Sequence, residues 1–461
     1  MRSGARNRRT LSCLLLLLIG VPAGAMAQDA PAASAAADDG VLTLEEALRL
    51  ARANNPAVRR AANEVERASA GERRGWGAYL PQLSGTLSFG EGEITSTTAT
   101  DDFGEPVTRE NPLTSASASA FGQLDASLVL FDGFRRLNQL QAARAGSRAA
   151  VAGLDVESVR IEAEVRRRYY GAIGARRFIE LEERLLAAAE ERFDATQAMV
   201  DAGRRPPQDA LGAEVEVARQ QIELDRARGD LINRKVLLAE VIGLDGSVEF
   251  EVEGDFPPLF DPSTLDAEAL IATALEIHPR VRRGREALGQ AENRADAARA
   301  LRWPSIRLGA SLNRNISVAE RAQIPDFPWN QRFSVGLSAS VPIFSGFQTS
   351  EQIANASAAR ANARESLREA RLAVEREVRI ALTNIANAYQ AVQLAERAAE
   401  LSRERLDVAQ EGFRRGVVDF TALQQLIDRT AQTERAAVSA RMNWAEALTS
   451  LDAAVGRRVR P

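Results

Sequence analysis

The chain has 461 residues and a formal net charge of -4, and its hydrophobic residues (45%) include few aromatics (5%). It contains a single cysteine, Cys13, in a segment that we expect to be removed, and a single histidine, His278. These counts exclude a disulfide scaffold, a zinc site built from Cys or His and a cysteine nucleophile, and any Ser-His-Asp triad would have to use His278. We therefore expect a protein that is not an enzyme and that holds no metal or cofactor.

The N-terminus has the pattern of a secretory signal peptide. Four arginines precede the apolar run Leu11–Val21, and the small residues Ala25 and Ala27 fit cleavage before Gln28. The run is shorter than the ~20 apolar residues of a transmembrane helix, so a membrane anchor or a buried helix is the weaker alternative. Removing residues 1–27 takes away four arginines and no acid, which changes the net charge from -4 to -8. We expect the mature protein to leave the cytoplasm.

The rest of the sequence contains an internal duplication. The matched positions are Asn55 with His278, Pro81 with Pro304, Phe131 with Phe344 and Gly203 with Gly416. The first two pairs lie 223 residues apart and the last two 213, so the difference in length falls in one loop. Such self-similarity indicates a repeated structural unit. We predict one repeat at residues 28–246 and a second at 265–461, joined by a connector at 247–264.

Pro81 and Pro304 each precede a run in which apolar and polar residues alternate; Leu83 and Leu87, for example, alternate with Ser84 and Thr86. Period-two alternation predicts a strand with one apolar and one polar face. We predict four strands, at about residues 82–96, 119–132, 305–317 and 332–344. A soluble sheet packed on a core is one interpretation, but runs of ~10 or more residues have the length of membrane-crossing strands.

Two further features favour the membrane interpretation. The polar face carries Ser, Thr, Asn and Gln, as a wet lumen would. Aromatic residues gather where strands meet helices, as in an interfacial girdle: Trp76, Tyr79, Phe131, Phe134, Trp303, Phe344 and Phe347. Polar loops are expected at 95–117 and 318–331; the acidic pair Asp101–Asp102 is interpreted as solvated loop rather than a metal site. Because four strands cannot close a barrel and lipid does not tolerate open sheet edges, several chains must share one barrel.

Two long stretches without proline, residues 135–202 and 348–415, predict helices of about 100 Å. Their apolar residues recur every seven positions: Val165, Ala172, Ile179, Leu186, Phe193 and Val200 in the first, and Val378, Ile385, Val392, Ala399, Leu406 and Phe413 in the second. A heptad repeat predicts left-handed coiled-coil packing. Each helix ends near Gly203 or Gly416 and is followed by a shorter helix. We therefore expect antiparallel helical hairpins at 133–243 and 346–456.

The sequence resembles the TolC-type outer-membrane efflux and secretion channels over essentially the whole mature chain. The resemblance rests on the doubled Asn-Pro/His-Pro helix starts, the prolines before the strands, the two Phe-x-Gly-Phe segments and the paired glycine turns, in this order. It implies a mixed membrane α+β fold. In that fold a homotrimer forms one twelve-stranded β-barrel in the outer membrane of a Gram-negative bacterium, in contact with its lipid, together with a periplasmic α-helical barrel.

The same resemblance implies a passive conduit for efflux or type I secretion, opened at its periplasmic tip by an adaptor (membrane fusion) protein and an inner-membrane pump or ABC exporter. It places adaptor docking at Gly203, Arg204, Gly416 and Val417. Periplasmic gate candidates are Asp201, Arg205, Asp209, Phe413, Arg414, Arg415 and Asp419. The sequence departs from the family in carrying Phe413, Val418, Ala422 and Gln425 where members can have a Tyr, an Arg and acidic residues.

Our hypothesis from these charges is that Arg–Asp contacts hold the closed end, so that replacing Arg414 and Arg415 with Ser should raise conductance. The two glycines can also be plain helix C-caps, which is compatible with docking.

Other functions fit the sequence less well. A structural periplasmic coiled coil without a pore would leave the four amphipathic strands unexplained. The sequence offers no set of catalytic residues for an enzyme, because its single histidine, His278, has no plausible partner and matches Asn55 at a helix start. Nucleic-acid binding is not expected, because basic residues are interspersed with acids and lack interleaved aromatics.

Overall fold

The computed structural model of the chain describes residues 40–100, 103–244, 249–318 and 330–460. The predicted signal peptide (1–27) and the pair Asp101–Asp102 lie outside these residues. The described part consists of long helices, one four-stranded sheet and one two-stranded sheet. None of its helices combines the length and the apolar character needed to cross a bilayer.

The same order of long elements occurs twice. The first half contains β1 (Val41–Leu42), α1 (Leu44–Asn54), α2 (Pro56–Gly77), β2 (Gln82–Thr100), β3 (Pro106–Phe131), α3 (Arg135–Asp201) and α4 (Pro207–Ile242). The second contains β4 (Glu251–Val252), α5 (Ala267–Ile277), α6 (Pro279–Arg299), β5 (Ser305–Val318), β6 (Asn330–Ser340), α7 (Gln348–Arg414) and α8 (Phe420–Val455).

Each long helix is accompanied by two shorter helices. α3 and α7 have 67 residues each, which at ~1.5 Å per residue makes them about 100 Å long. α2 and α4 both pack along α3, while α6 and α8 both pack along α7. α3 also packs against α6 and α8, which joins the two halves side by side. The chain is therefore an elongated double hairpin with the four-stranded sheet at one end and the helical turns at the other.

One side chain in each half connects the two short helices. Asn55 accepts a hydrogen bond from the Ala57 N–H (2.8 Å), which caps α2, and its Nδ2 donates to the Val241 carbonyl near the end of α4 (2.7 Å). His278 acts in the same way: its Nδ1 accepts a hydrogen bond from the Arg280 N–H (3.1 Å), and its ring N–H donates one to the Ala453 carbonyl in α8. Asn and neutral His each offer one acceptor and at least one donor, which explains their equivalent positions.

Replacing His278 with Asn, the residue at the equivalent position of the first half, is expected to remove one source of pH-dependent stability. Burial, together with the nearby Arg280, lowers the pKa of His278 below its usual 6.5. The unfolded chain therefore binds this proton more readily than the folded chain. The neutral His278 side chain therefore contributes stability above about pH 6.5, and this contribution is lost as the pH falls toward the pKa of His278 in the folded chain. Thermal melts on both sides of that pH should show a smaller acid shift for His278→Asn than for the unchanged protein; equal shifts would contradict this account.

The four long strands form one antiparallel sheet in the order β2-β3-β5-β6, with β2 and β6 at its edges. Residues directly opposite one another share a face. One face has rows such as Leu124, Leu312 and Phe333, and the other has rows such as Asp125, Ser311 and Ser334. Much of the apolar face is open to its surroundings, with Leu83 80% exposed and Phe333 68% exposed, whereas a small cluster that includes Ala120 and Ile316 is buried. The sheet thus has a largely uncovered apolar face and a polar face, as the alternation predicts.

The strands differ in length from the prediction. A polar loop was expected at 95–117, but β2 continues to Thr100, β3 begins at Pro106, and Thr98 pairs with Thr108. The last strand, expected at 332–344, runs from 330 to 340. Of the second expected loop, residues 319–329 lie outside the described part. Backbone groups form a β-ladder whatever the side chains, so alternation fails as a signal wherever neither face is apolar.

The Phe-x-Gly-Phe segments form sharp turns from strand to helix. Gly133 and Phe134 both have φ of 66°, and Gly346 and Phe347 have φ of 59° and 68°. A Cβ at Gly133 would lie 2.4 Å from the Cβ of Trp303, so only glycine fits there. The turns leave Phe134 and Phe347 65% and 75% exposed. Exposed aromatic side chains therefore lie at the base of the sheet, where an interfacial girdle is expected.

The buried seam follows the predicted heptad in α7 but shifts in α3. In α7 the buried positions include Val378, Ile385, Val392, Ala399 and Phe413. In α3, Val165 and Ala172 are buried, but further along the buried heptad is Glu182, Ala189 and Thr196. This half of α3 packs against both α4 and α8, so its buried stripe is set by two partners rather than one.

The first part of the connector packs against the first half, and its later part, with Phe260, packs on the core of α7 and α8. Its strand β4 pairs in parallel with β1. Arg176 of α3 donates to the carbonyls of Val252 and Gly254 (both 2.6 Å), and the Tyr169 hydroxyl donates to the Glu253 carbonyl. Burial raises the pKa of Tyr169 to about 12, so the hydroxyl remains a donor at neutral pH. The connector is thus an ordered strap across α3.

Candidate functional site at the hairpin tips

The first hairpin turns through a hydrogen-bonded helix cap. The N–H of Arg204 donates to the Met199 carbonyl (2.8 Å), and the N–H of Gly203 donates to the Val200 carbonyl (2.9 Å). These two bonds are the Schellman motif, which closes a helix C-terminus around a residue in the left-handed conformation. The turn thereby satisfies carbonyls that the end of α3 would otherwise leave free.

The second tip repeats this motif. Val417 N–H donates to the Gly412 carbonyl (2.9 Å), and Gly416 N–H donates to the Phe413 carbonyl (3.0 Å). Gly203 and Gly416 have φ of 66° and 80°, and nothing lies within 4 Å of a Cβ built at either position. Each glycine is therefore required by the backbone conformation, while the space around it is open. The four residues predicted for adaptor docking, Gly203, Arg204, Gly416 and Val417, are all exposed.

One side chain joins the two tips. Arg205 Nη2 donates to the carbonyls of Phe413 (3.0 Å) and Val418 (3.2 Å) in the second hairpin. Its guanidinium lies 4.1 Å from the centre of the Phe413 ring, and its Nη1 lies 3.9 Å from Asp209 Oδ2. The side chains of Arg205 and Asp209 are only 16% and 11% exposed. Charged hydrogen bonds of this kind, shielded from water, hold the first turn against the second.

A small apolar cluster lies beneath this contact. Phe413 packs 6.3 Å, centre to centre, from Phe420, and the cluster extends to Leu423 and Ile427 of α8. Gly212 of α4 provides the space for it, because a Cβ there would lie 2.7 Å from Phe420 Cε1. The predicted gate residue Phe413 is therefore a packing centre between the hairpins.

The other acidic candidates have local partners. Asp201 accepts a hydrogen bond from Gln197 Nε2 (2.8 Å) in α3. Asp419 accepts from the Ala422 N–H (2.7 Å) and so caps the start of α8. Asp419 thus stabilises the start of α8, while Asp201 has a partner within its own helix.

Within one chain, two of the arginines in the Arg–Asp hypothesis have a different partner. Arg414 and Arg415 each lie 2.7 Å from Glu411 of their own helix. Among the candidates in the described part of the chain, only Arg205 and Asp209 form an Arg–Asp pair. The reason is local: residues three and four positions apart on a helix face each other, and Glu411 occupies that position.

A buried ion pair lies further from the tips, and sequence reasoning missed it. Glu182 of α3 and Arg435 of α8 form two hydrogen bonds of 2.7 Å. The Glu182 side chain is 5% exposed, and its hydrogen bonds raise the pKa of Arg435. The pair fastens the first hairpin to the second. The sequence shows only an acidic residue, Glu182, in a helix whose buried heptad positions were predicted elsewhere.

The chain belongs to the outer membrane efflux protein family, whose model matches residues 47–244 and 270–457. The first segment runs from within α1 to just beyond α4, and the second from within α5 to just beyond α8. The family confirms the resemblance seen in the sequence, and with it an outer-membrane location with a long periplasmic extension.

Individual relatives agree with this assignment. The outer membrane efflux protein BepC of Brucella suis is 22% identical over 339 residues, which are 72% of this chain and 66%, just under two thirds, of that relative. A membrane protein from Pseudomonas aeruginosa shares the fold with a TM-score of 0.74, 20% identity and 90% coverage of each chain. The open state of the MtrE outer membrane channel of Neisseria gonorrhoeae gives a TM-score of 0.69 and 20% identity, covering 90% of this chain and 89% of that one.

Proposed function

We propose that this protein is the outer-membrane channel subunit of a tripartite efflux or type I secretion system. Three copies form a passive conduit, which a periplasmic adaptor and an inner-membrane pump or ABC exporter open at the tips. The observation that carries the proposal is the four-stranded sheet with an exposed apolar face, a polar face and two open edges. In lipid, each unsatisfied backbone group at such an edge costs several kcal/mol. Pairing β2 of one copy with β6 of the next would satisfy both edges.

The number of strands supports a trimer. About eight strands make a barrel whose interior is filled by side chains, and more strands leave room for water. Two copies would supply eight strands and three would supply twelve. The small polar residues on the inner face, such as Ser311 and Ser334, suit a wetted lumen.

The four helices that meet at the hairpin tips, α3, α4, α7 and α8, are called the tip helices. Exposed apolar stripes on two of them, α4 and α7, support the same assembly. α7 exposes apolar residues at heptad spacing, namely Ile380, Leu394, Leu401 and Val408, and the polar Asn387 occupies the position between the first two. α4 exposes Leu211, Val215, Ile222, Ile232 and Val236. Stripes of this kind pack against another helix. α4 of one copy against α7 of the next would cover both stripes and close a helical barrel below the sheet.

A structural coiled coil without a pore is the competing function. It would leave the apolar face of the sheet in water, and contiguous exposed apolar patches of that size mark membrane or protein contacts. Electron microscopy of the mature protein, extracted from outer membranes in mild detergent, tests both. A three-fold tube with a helical section of about 100 Å, which conducts ions in a planar bilayer, is expected. Thin rods or a soluble monomer would refute the channel.

Replacing Arg205 with Ala is expected to raise single-channel conductance or open probability. The substitution removes two hydrogen bonds from a charged donor that is largely shielded from water, a loss of about 2 kcal/mol. Since 1.4 kcal/mol corresponds to a factor of ten, the closed-to-open ratio should fall more than tenfold. Planar-bilayer recordings of purified protein measure this directly.

Arg204→Ala is the matched control, because Arg204 is the exposed neighbour of Arg205 in the same turn. Arg414→Ser with Arg415→Ser should have a smaller effect than Arg205→Ala, because these side chains are 65% and 71% exposed and pair within their own helix. Equal conductance for Arg205→Ala and Arg204→Ala would show that the contact between the tips does not hold the gate.

A further inference from the structure

A cavity lies between the two hairpins, near the tips. It has a volume of about 240 Å³ and is lined by residues of all four tip helices. The apolar part of its wall includes Met199, Phe413 and Phe420, and the polar part includes Arg192 and Glu216. An apolar cavity of ~150 Å³ accommodates benzene, so this one has room for on the order of ten non-hydrogen atoms.

Arg192 lies in the wall of this cavity together with Glu191 and Glu216. Arg192 is half-buried, and burial lowers its pKa despite the opposing influence of Glu216 and Glu191. Both oxygens of Glu216 already have other partners. Its Oε2 lies 3.4 Å from Arg219 Nη1, and its Oε1 accepts a hydrogen bond of 2.7 Å from Gln220. The Arg192 guanidinium, partly shielded from water, can therefore gain from an additional anion.

We propose that this cavity binds a small amphiphilic anion, an aromatic or short aliphatic carboxylate. The carboxylate would pair with Arg192, and the apolar part would contact Met199, Phe413 and Phe420. A neutral molecule of the same shape would fill the space and leave the guanidinium unpaired, so charge as well as size governs binding. Because the walls come from both hairpins, the bound anion braces one against the other beside the Arg205 contact. Binding is a property of the protein itself and does not depend on the proposed channel function.

Fluorine NMR of 4-fluorobenzoate, added to the mature protein in detergent, tests the site. 4-Fluorobenzamide is the neutral control of nearly the same shape, and protein-free detergent gives the signal due to micelles. We expect line broadening that depends on the presence of the protein, and an apparent affinity for the carboxylate that is at least tenfold higher than that for the amide. The variant Arg192→Gln should lose this preference, while Arg184→Gln, at an exposed position of the same helix, should keep it.

A second variant tests the cavity rather than the charge. Ala213 lies in the cavity wall and is 5% exposed, so Ala213→Leu would occupy part of the space. It should abolish broadening, with circular dichroism showing whether the helices remain intact. If Ala213→Leu does not fold, the comparison of Arg192→Gln with Arg184→Gln decides alone. Equal broadening for carboxylate and amide, or an unchanged carboxylate response in Arg192→Gln, would overturn the proposal.

Discussion

Replacing Trp444 with Ala is expected to lower the free energy of unfolding by about 4 kcal/mol. Trp444 is fully buried in α8, at the centre of the core that α8 forms with α7 and the segment before α5. Its ring lies 5.2 Å from that of Phe260 and 6.0 Å from that of Tyr389. Removing it leaves a large cavity among rigid helices that cannot close around it. Chemical unfolding followed by circular dichroism, at constant protein concentration, measures the loss.

Trp444→Phe is the matched control. It keeps an aromatic ring and removes the indole Nε1, which is buried and has no hydrogen-bond partner in the described part of the chain. The loss should therefore be well below that of Trp444→Ala. If both variants were equally destabilised, the ring would not be the source of the effect; if Trp444→Ala were as stable as the unchanged protein, this core would not support the fold.

Replacing Glu182 with Ala is expected to destabilise the protein by about 3 kcal/mol, because it leaves Arg435 without its partner between two helices. The two side chains are 5% and 28% exposed, so water compensates the loss only in part. The same unfolding measurement applies. We expect the two hairpins to separate more readily, since the pair links α3 to α8.

Two comparisons isolate this ion pair. The double variant Glu182→Leu with Arg435→Leu should recover much of the stability, because an apolar pair carries no desolvated charge. Glu400→Ala breaks an exposed pair with Arg397 and should leave stability nearly unchanged. A double variant as unstable as Glu182→Ala would mean that the packing around the site, and not the unpaired charge, is at fault.

The elements of this fold could be predicted where the signal is local. Proline before the first strand of each pair, alternation within the strands, and a glycine at each hairpin turn all act through the backbone of a few neighbouring residues. The turn glycines Gly203 and Gly416 illustrate this, because their left-handed conformation is a property of the turn alone. The strand ends could not be predicted in the same way, because the pairing of Thr98 with Thr108 needs no apolar pattern.

The sequence predicted where the hairpin turns lie but not which side chains connect them. The turns were identified, yet the contact that joins them connects Arg205 with Phe413 and Val418, more than 200 positions away. A local alternative also decided the partners of Arg414 and Arg415, since Glu411 lies on the same helix face.

The sequence by itself determined the duplication, the helix and strand types, the two turns and the membership of an outer-membrane channel family, because periodicity and backbone-restricting residues encode these locally. Only the tertiary structure decided which residues of α3 are buried and which distant groups meet. These are the buried ion pair of Glu182 with Arg435, the contact of the connector with Tyr169, and the hydrogen bonds of Arg205 to the second tip. Each of these depends on which distant helix packs alongside. Which helices become neighbours depends on the side-by-side packing of the two hairpins, and the sequence periodicity within one hairpin does not specify how it packs against the other.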